Sequence, residues 1–543
     1  MNTLIFKRMK KFLLMFVAVA ASLTAQAQLS NTTATWSKSI TPVTDATKLS
    51  GIHTVVAADG SVFVTGTYNQ DVTFGASSLD PDGLTPAYLA KYDANGNEKW
   101  AVGLVGNSLI TDLATDADGN VYLLGTLAED VTFESVDGNS QSVQGMKVDG
   151  ALTPTRRAAF IAKYDKDGNL KVVRTIEAAT NYSIVTPDTY FDNLAQVQPT
   201  ALAVSNGKVY VALRHDGDVI IDNVAWKGRY NFAFGFMHVD NHSVGIMSLK
   251  AEDLMSATSV ADFGAKEVLT NDGTYNATDV SLTATNGTVY AAFVGYGKLA
   301  LNTANESKDF TTEIAEGTMP RVYVLASISE SNVVTKAFMT KADNEGDNYR
   351  IGRMALEGDK LFVSGVSAGS NPFNNDLPAV GARTLFVASL HPADFSVNWV
   401  TADAYDEGDV NHYAQGIFDM LVNNGEVLLA GYAEKTDKHS LTAQLNYWFK
   451  ADGTLKPAAA DSIVAMGVNN NVVSVVTKAE KQTTVTAYNK KDVTGVQSIV
   501  ANPSEPTYVY NLRGQYVGRT CQGLPAGVYM VKTGKQVQKV VVK

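Results

Sequence analysis

One short phrase recurs six times along the chain: a small apolar strand, a polar turn carrying Gly, and a β-rich run often closed by another Gly. It reads VVAADGSVFVTG at Val55–Gly66, LATDADGNVYLLG at Leu113–Gly125 and LAVSNGKVYVAL at Leu202–Leu213. It returns as LTATNGTVYAAF at Leu282–Phe293, MALEGDKLFVSG at Met354–Gly365 and MLVNNGEVLLAG at Met420–Gly431. A phrase repeated at long intervals marks a repeat architecture, in which each copy is one supersecondary unit that buries its apolar surface against its neighbours. That constraint outweighs length: 543 residues would otherwise suggest several domains.

Between the phrases lies a second recurring unit. AYLAKYDANGNEKWAV at Ala87–Val102 and AFIAKYDKDGNLKVVR at Ala159–Arg174 are nearly identical, and weaker copies occur at Gly245–Val260, Val322–Phe338, Leu385–Val400 and Tyr447–Pro457. Apolar and polar residues alternate on either side of Asn-Gly or Asp-Gly, the strongest short-range hairpin signal. Phrase plus hairpin makes four antiparallel strands, the blade of a β-propeller. A worn seventh unit lies at Ser462–Lys478, with Thr483–Asn489 as its third strand and no clear fourth. The segment TWSKSIT at Thr35–Thr41 resembles the fourth strand NEKWAVG, with Trp36 in the place of Trp100. The expected fold is therefore all-β: a seven-bladed propeller over residues 34–491, closed by its N-terminal strand so that no sheet edge is left open. Six or eight blades is the alternative.

LATDADGNVYLLGT followed by AFIAKYDKDGNLKVV resembles the bacterial seven-bladed propeller repeat known as the SBBP repeat. The resemblance spans about Thr35–Lys490, is clearest in the first two blades, and implies a fold and an exported bacterial origin without catalytic residues.

Both ends of the chain carry addresses. Lys7, Arg8, Lys10 and Lys11 precede the apolar stretch Phe12–Leu23, and Ala25-Gln26-Ala27 fits a signal-peptidase site. Residues 1–27 are thus expected to be a signal peptide cleaved before Gln28, with no integral membrane span elsewhere. The single cysteine, Cys521, excludes an internal disulfide and a lipid-bearing cysteine after the signal. Composition shifts at residues 492–507, a linker containing Asn502–Pro506, and residues 508–543 form a small β-domain. VYNLRGQYV, GLPAGVYMVK and the terminal KVVVK closely resemble the C-terminal sorting domain of the type IX secretion pathway of Bacteroidota. That resemblance implies the secretion machinery as a partner, and delivery to the cell surface or the medium with the periplasm as transit.

The net charge is −11, and it becomes −15 once the four basic residues of the leader are removed. Six basic and two acidic residues from Asp492 onward leave about −19 on the central body. Such a body repels nucleic acid and anionic membrane, and suits neutral glycans, cations or basic peptides.

In a propeller, the joins between blades and the loops between second and third strands share one face. Here those connections are long: Glu129–Ala158, Thr180–Pro199, His215–Gly235, Asp262–Ala277, Lys298–Pro320 and Ala402–Ala414. Long loops on a rigid frame are where function concentrates. They carry Tyr190, Trp226, Tyr230, Tyr275, Tyr405 and Tyr413, with Asp406 and Asp409 among them, and the join DNEGDNYR carries Tyr349. Aromatics stack on sugar rings while carboxylates take hydroxyl hydrogen bonds, so these nine residues are the candidate ligand contacts.

Catalytic and metal signatures are weak. Gly365–Gly369 matches G-x-S-x-G but lies at the end of a β-run, where a nucleophile elbow needs a strand turning into a helix. His238 and His242 would suit zinc only on a helix, and the surrounding residues lack that period. Asp116–Asn120 and Asp165–Asn169 resemble calcium loops without the distal glutamate, and read better as hairpin turns. No cofactor or metal is expected. The preferred reading is a non-catalytic propeller binding glycan or protein through its long-loop face. The alternatives are a glycan-active hydrolase or lyase at the channel mouth, and a structural surface or matrix component.

Overall fold

In the computed structural model the described residues are 32–40, 51–145 except 83, 158–178, 197–215, 219–221, 224–226, 232–234, 237–239, 243–265, 276–311 except 297, 321–340, 350–367, 373, 384–404, 413–435, 440–457, and 463–493 except 470, 480 and 481. In the C-terminal part they are 507–511, 515–519, 524–525, 527–533 and 536–542. The chain separates into two compact units, Met1–Thr494 and Gly495–Lys543. No α-helix occurs among the described residues, so none there is long and apolar enough to cross a membrane.

The first unit is built from antiparallel sheets in which each phrase makes the first two strands and each hairpin the next two. In the first sheet His53–Val56, Val62–Thr67, Ala87–Tyr92 and Glu98–Val105 follow one another in space as in sequence. The same order holds for the sheets starting at Ser108–Thr115, Val197–Ser205, Asn276–Thr285, Arg350–Glu357 and Tyr413–Asn423. The seventh such sheet holds Ile463–Asn469, Val472–Ala479 and Gln482–Asn489, and its outer strand comes from the other end of the chain. There Trp36–Ile40 pairs antiparallel with Gln482–Asn489, from Trp36 opposite Ala487 to Ile40 opposite Thr483. The first strands of successive sheets lie side by side, and Ile463–Asn469 lies in turn against His53–Val56. Radial antiparallel sheets around a shared axis are the β-propeller arrangement.

The turns explain the repeated motifs. Asp93, Asp116 and Asp165 each accept backbone N–H bonds from the residues two and four places on, at 2.9 to 3.0 Å, and hold the Asn side chain four places on through their second oxygen. The carboxylate shapes the hairpin, as expected from these turns. No group of His, Cys, Asp and Glu suited to a metal ion occurs among the described residues.

Neighbouring sheets are joined at their outer hairpins by a tryptophan seated on a glycine. A Cβ built on Gly96 would lie 2.6 Å from the Trp36 ring, one on Gly168 would lie 2.7 Å from Trp100, and one on Gly453 would lie 2.8 Å from Trp399. These glycines also have φ of +79°, +86° and +80°, which disfavours any side chain there. The indole N–H of Trp36 donates to the Ala94 carbonyl at 3.1 Å and that of Trp100 to the Lys166 carbonyl at 3.2 Å, both two residues before the glycine. The equivalence of Trp36 and Trp100 is thus a shared physical role. Lysines of the AKYD segments add a second tie: Lys91 Nζ donates to the Lys166 carbonyl at 2.9 Å and Lys163 Nζ to the Ala251 carbonyl at 2.7 Å. Between the sheets lie continuous apolar layers, and the one spanning the first three sheets includes Leu123, Phe133, Phe160 and Val209.

Several long connections are spent on the frame. Val131–Phe133 and Gln141–Val143, from the Glu129–Ala158 connection of the second sheet, form a hairpin on the outer strand Glu98–Val105 of the first. Val219–Ile221 and Val224–Trp226 do the same on Leu170–Ala178 of the second sheet. Lys298–Asn302 and Ser307–Thr311 do so on Thr258–Ala265 of the third. Each connection folds back onto the preceding sheet and widens it from four strands to six. An edge strand covered in this way no longer offers unpaired backbone groups.

The second unit is a four-stranded antiparallel sheet in the order Tyr516–Gly518, Thr507–Asn511, Gly527–Thr533, Gln536–Val542. Val509, Tyr529 and Val531 are buried on it, packed with Leu524. Tyr516 packs against Tyr508 and Tyr510.

Candidate functional site

The first strands surround a cavity of about 210 Å³ to which all seven contribute side chains or backbone. Besides Thr54 and Thr283, its polar groups are His53, Asp112, Ser281, Arg353 and Asp419. These five share one position of the repeat. His53, Asp112, Ser281 and Asp419 pair across to Thr65, Leu124, Ala292 and Ala430. Each of those partners directly precedes the final residue of its phrase. Arg353 lies opposite Ser364, the matching residue of its own sheet: the Ser364 hydroxyl accepts from the Arg353 N–H at 2.9 Å and donates to the Arg353 carbonyl at 2.9 Å.

A register irregularity recurs beside this position, between Ile110 and Asp112, Ile351 and Met354, and Ile417 and Asp419. Such bulges bend a strand and re-aim a side chain. At the arginine the extra residue is Gly352, where a Cβ would lie 2.5 Å from Ile417 Cδ1 and 2.7 Å from Ser364 Oγ. A side chain there would have to displace the Ile417 and Ser364 side chains.

The two carboxylates bridge adjacent first strands. Asp112 Oδ1 accepts the Leu113 N–H at 2.9 Å, and its Oδ2 accepts the Leu202 N–H of the next sheet at 2.8 Å. Asp419 repeats the geometry, taking the Met420 N–H at 2.8 Å and the Met466 N–H of the next sheet at 2.6 Å. Arg353 Nη1 lies 3.7 Å from Asp112 Oδ2 and is the positive charge beside both acids. The side chains of Arg353 and Asp112 are 22% and 17% exposed, so both reach the water-sized space of the channel.

Burial sets the protonation of this cluster. It pushes Asp419 up to about 6, against the opposing pull of the Arg353 charge and the two N–H bonds. Burial raises Asp112 in the same way, with Arg353 again opposing. His53 is pushed down to about 3, first by burial and then by the Arg353 charge, while a hydrogen bond to the Ile110 backbone works the other way. At neutral pH the channel thus holds a neutral imidazole and a largely ionised Asp419 beside the Arg353 guanidinium, with the proton affinity of Asp112 raised by burial.

Two of the candidates read from sequence are among the described residues. Tyr190, Tyr230, Tyr275, Tyr349, Tyr405, Asp406 and Asp409 lie outside the described residues. Trp226 is in the edge hairpin on the second sheet, opposite Val219. Tyr413 begins a first strand, opposite Lys435. Gly365 and Ser367 lie within the strand Lys360–Ser367, and His238 within Met237–Val239. The channel residues were overlooked, although Asp112, Ser281, Arg353 and Asp419 each stand immediately before a copy of the phrase. Extending each copy upstream to the residue opposite its penultimate one, two places in the first copy and one in the others, gives a position that changes from His to Asp, Ala, Ser, Arg and Asp.

No family model matches the chain. An uncharacterized WD repeat-containing protein of Acanthamoeba polyphaga mimivirus is 29% identical over 124 residues, covering 20% of this chain and 8% of that protein. The chain therefore spans less than a tenth of the curated relative it matches. Among solved structures, the phage phi92 endosialidase is similar at 9% identity with a TM-score of 0.28, over 92% of this chain and 74% of that one. Drosophila Semaphorin 1b, extracellular domains 1–2, is similar at 9% identity with a TM-score of 0.35, over 91% and 95%. Virginiamycin B lyase from Staphylococcus aureus is similar at 11% identity with a TM-score of 0.22, over 60% and 96%.

Proposed function

We propose that this is an exported, non-catalytic β-propeller of seven blades, closed by Trp36–Ile40, that binds glycan or protein through the face bearing its long connections. The tyrosines and aspartates of those connections, with Trp226, are the proposed ligand contacts. The C-terminal unit is the proposed sorting signal for type IX secretion, which would deliver the protein to the cell surface or the medium.

The observation that carries the non-catalytic reading is the engagement of the channel acids. Every oxygen of Asp112 and Asp419 accepts a backbone N–H that joins or shapes the first strands. A catalytic carboxylate needs an oxygen aimed at substrate, and a general acid needs its proton free to transfer. These carboxylates are fixed to the frame through both oxygens, which leaves each a lone pair to accept a hydrogen bond but not a freely oriented group for proton transfer.

A second reading, a glycan-active hydrolase or lyase, is favoured by one fact: two carboxylates and a histidine converge on one cavity. The two readings separate in a glycan array and pull-down with the mature protein from Gln28, followed by chromatography of each bound glycan. Saturable binding of intact glycan or protein, weakened by Tyr349→Ala or Tyr413→Ala without a change in melting temperature, supports the proposal. Glycan cleavage that Asp419→Asn abolishes would establish the second reading instead.

A further inference from the structure

We infer that the central cavity is itself a binding site for one neutral, hydroxyl-rich ring, such as the terminal neutral sugar of a glycan. The inference deepens the glycan arm of the proposed function and moves its recognition into the channel.

Size comes first. The cavity of about 210 Å³ lies below the roughly 300–1,000 Å³ of pockets for drug-sized ligands, so it suits a single ring. Charge then selects the class. A free anion placed beside Arg353 also meets the carboxylates of Asp112 and Asp419, and a cation placed beside those carboxylates meets the guanidinium. Either charge meets repulsion in a site where solvent screening is reduced. An apolar ligand would strip water from the polar groups without replacing its hydrogen bonds. A hydroxyl group avoids each penalty, because it donates and accepts at once. It can accept from the guanidinium while donating to a neighbouring carboxylate, whose oxygens keep lone pairs beyond those used by the backbone N–H groups. The Ser281 hydroxyl and the neutral His53 ring add partners of both kinds on other strands of the same cavity. Donors and acceptors from five sheets thus surround one small space, which matches the hydroxyls spaced around a pyranose.

The test is titration calorimetry on the mature protein with D-glucose, D-galactose, D-mannose and N-acetylglucosamine, each at up to tens of millimolar. D-glucuronate and D-glucosamine serve as charged counterparts. Two variants accompany the wild type: Arg353→Met, which removes the charged donor, and Ser281→Leu, which fills the cavity without touching the bridging carboxylates. The expected result is saturable binding of at least one neutral sugar, weakened roughly tenfold or more by each folded variant and weaker by a similar factor for the charged counterparts. Tighter binding of the uronate or the amine, or neutral-sugar binding unmoved by Ser281→Leu, overturns the inference. Failure of all sugars here, with array binding still lost in Tyr349→Ala, overturns the channel site and leaves the loop-face reading standing. Failure of both removes the glycan arm altogether.

Discussion

Replacing Arg353 by Met keeps the bulk of the side chain and removes the positive charge beside Asp112 and Asp419. Breaking a fully buried ion pair costs about 3–5 kcal/mol, because the remaining charge is left uncompensated. Arg353 and Asp112 are 22% and 17% exposed to the channel, so water softens that cost, to about 2–3 kcal/mol at pH 8. The loss should depend on pH in a definite direction. Asp419 titrates near 6 in the folded protein, above its unfolded value, so its favourable contribution is complete at low pH and disappears as pH rises through 6. Without the guanidinium its affinity for a proton rises further, and so does that of Asp112. His53, now held near 3 partly by the Arg353 charge, also shifts upward. All three shifts favour proton uptake by the variant as pH falls, which relieves it on the acid side. Each further unit of pKa shift is worth about 1.4 kcal/mol, so the deficit at pH 5 should be smaller than at pH 8. Urea midpoints followed by tryptophan fluorescence at the two pH values give the comparison. An equal deficit at both, or a larger one at pH 5, refutes the assignment of Arg353 as the shared counter-ion.

Other perturbations test other joints. His53→Gln removes a group whose contribution is present above pH 6.5 and lost as pH falls toward 3, leaving the opposite trend of Asp419 unbalanced. Relative to wild type, its stability should therefore fall by roughly 3 kcal/mol between pH 4 and 6, as read from denaturation at stepped pH. Gly168→Ala forces a side chain onto a residue at φ +86° and within 2.7 Å of the Trp100 ring. It should cost about 3 kcal/mol or more, seen in the urea midpoint, whereas alanine at Gly207, where nothing lies within 4 Å, should cost only its backbone strain of about 1 kcal/mol. Trp36→Ala should cost about 3–5 kcal/mol and expose the edge Gln482–Asn489, measurable as concentration-dependent association in sedimentation. Deletion of residues 495–543 should leave the melting temperature of the larger unit unchanged while retaining the protein in the periplasm, as fractionation would report.

Much of the frame was legible because its signals are local. The Asp-x-x-Gly-Asn turns carry their geometry within five residues, and the alternation on each side of them defines the strands. Even the pairing of the two chain ends was readable, since Trp36 occupies the same place in its strand as Trp100. The edge hairpins were not, because Val131–Phe133 has an unremarkable sequence and its partner strand belongs to the preceding sheet. Its connection therefore read as free loop. The channel cluster escaped for a different reason. A lone Asp, Arg or Ser ahead of an apolar run looks like an ordinary strand start, and only the circular stacking of first strands brings Asp112, Arg353 and Asp419 together. Aromatic residues in long connections give the stronger sequence signal, and most of those lie outside the described residues.

The central claim is that this frame binds a ligand without transforming it. The most direct test is to incubate the mature protein with the glycans it retains on an array and follow each by mass spectrometry over a day. Binding with every glycan recovered at its original mass is the predicted result. Appearance of cleaved or unsaturated products, absent with Asp112→Asn or Asp419→Asn, would contradict it.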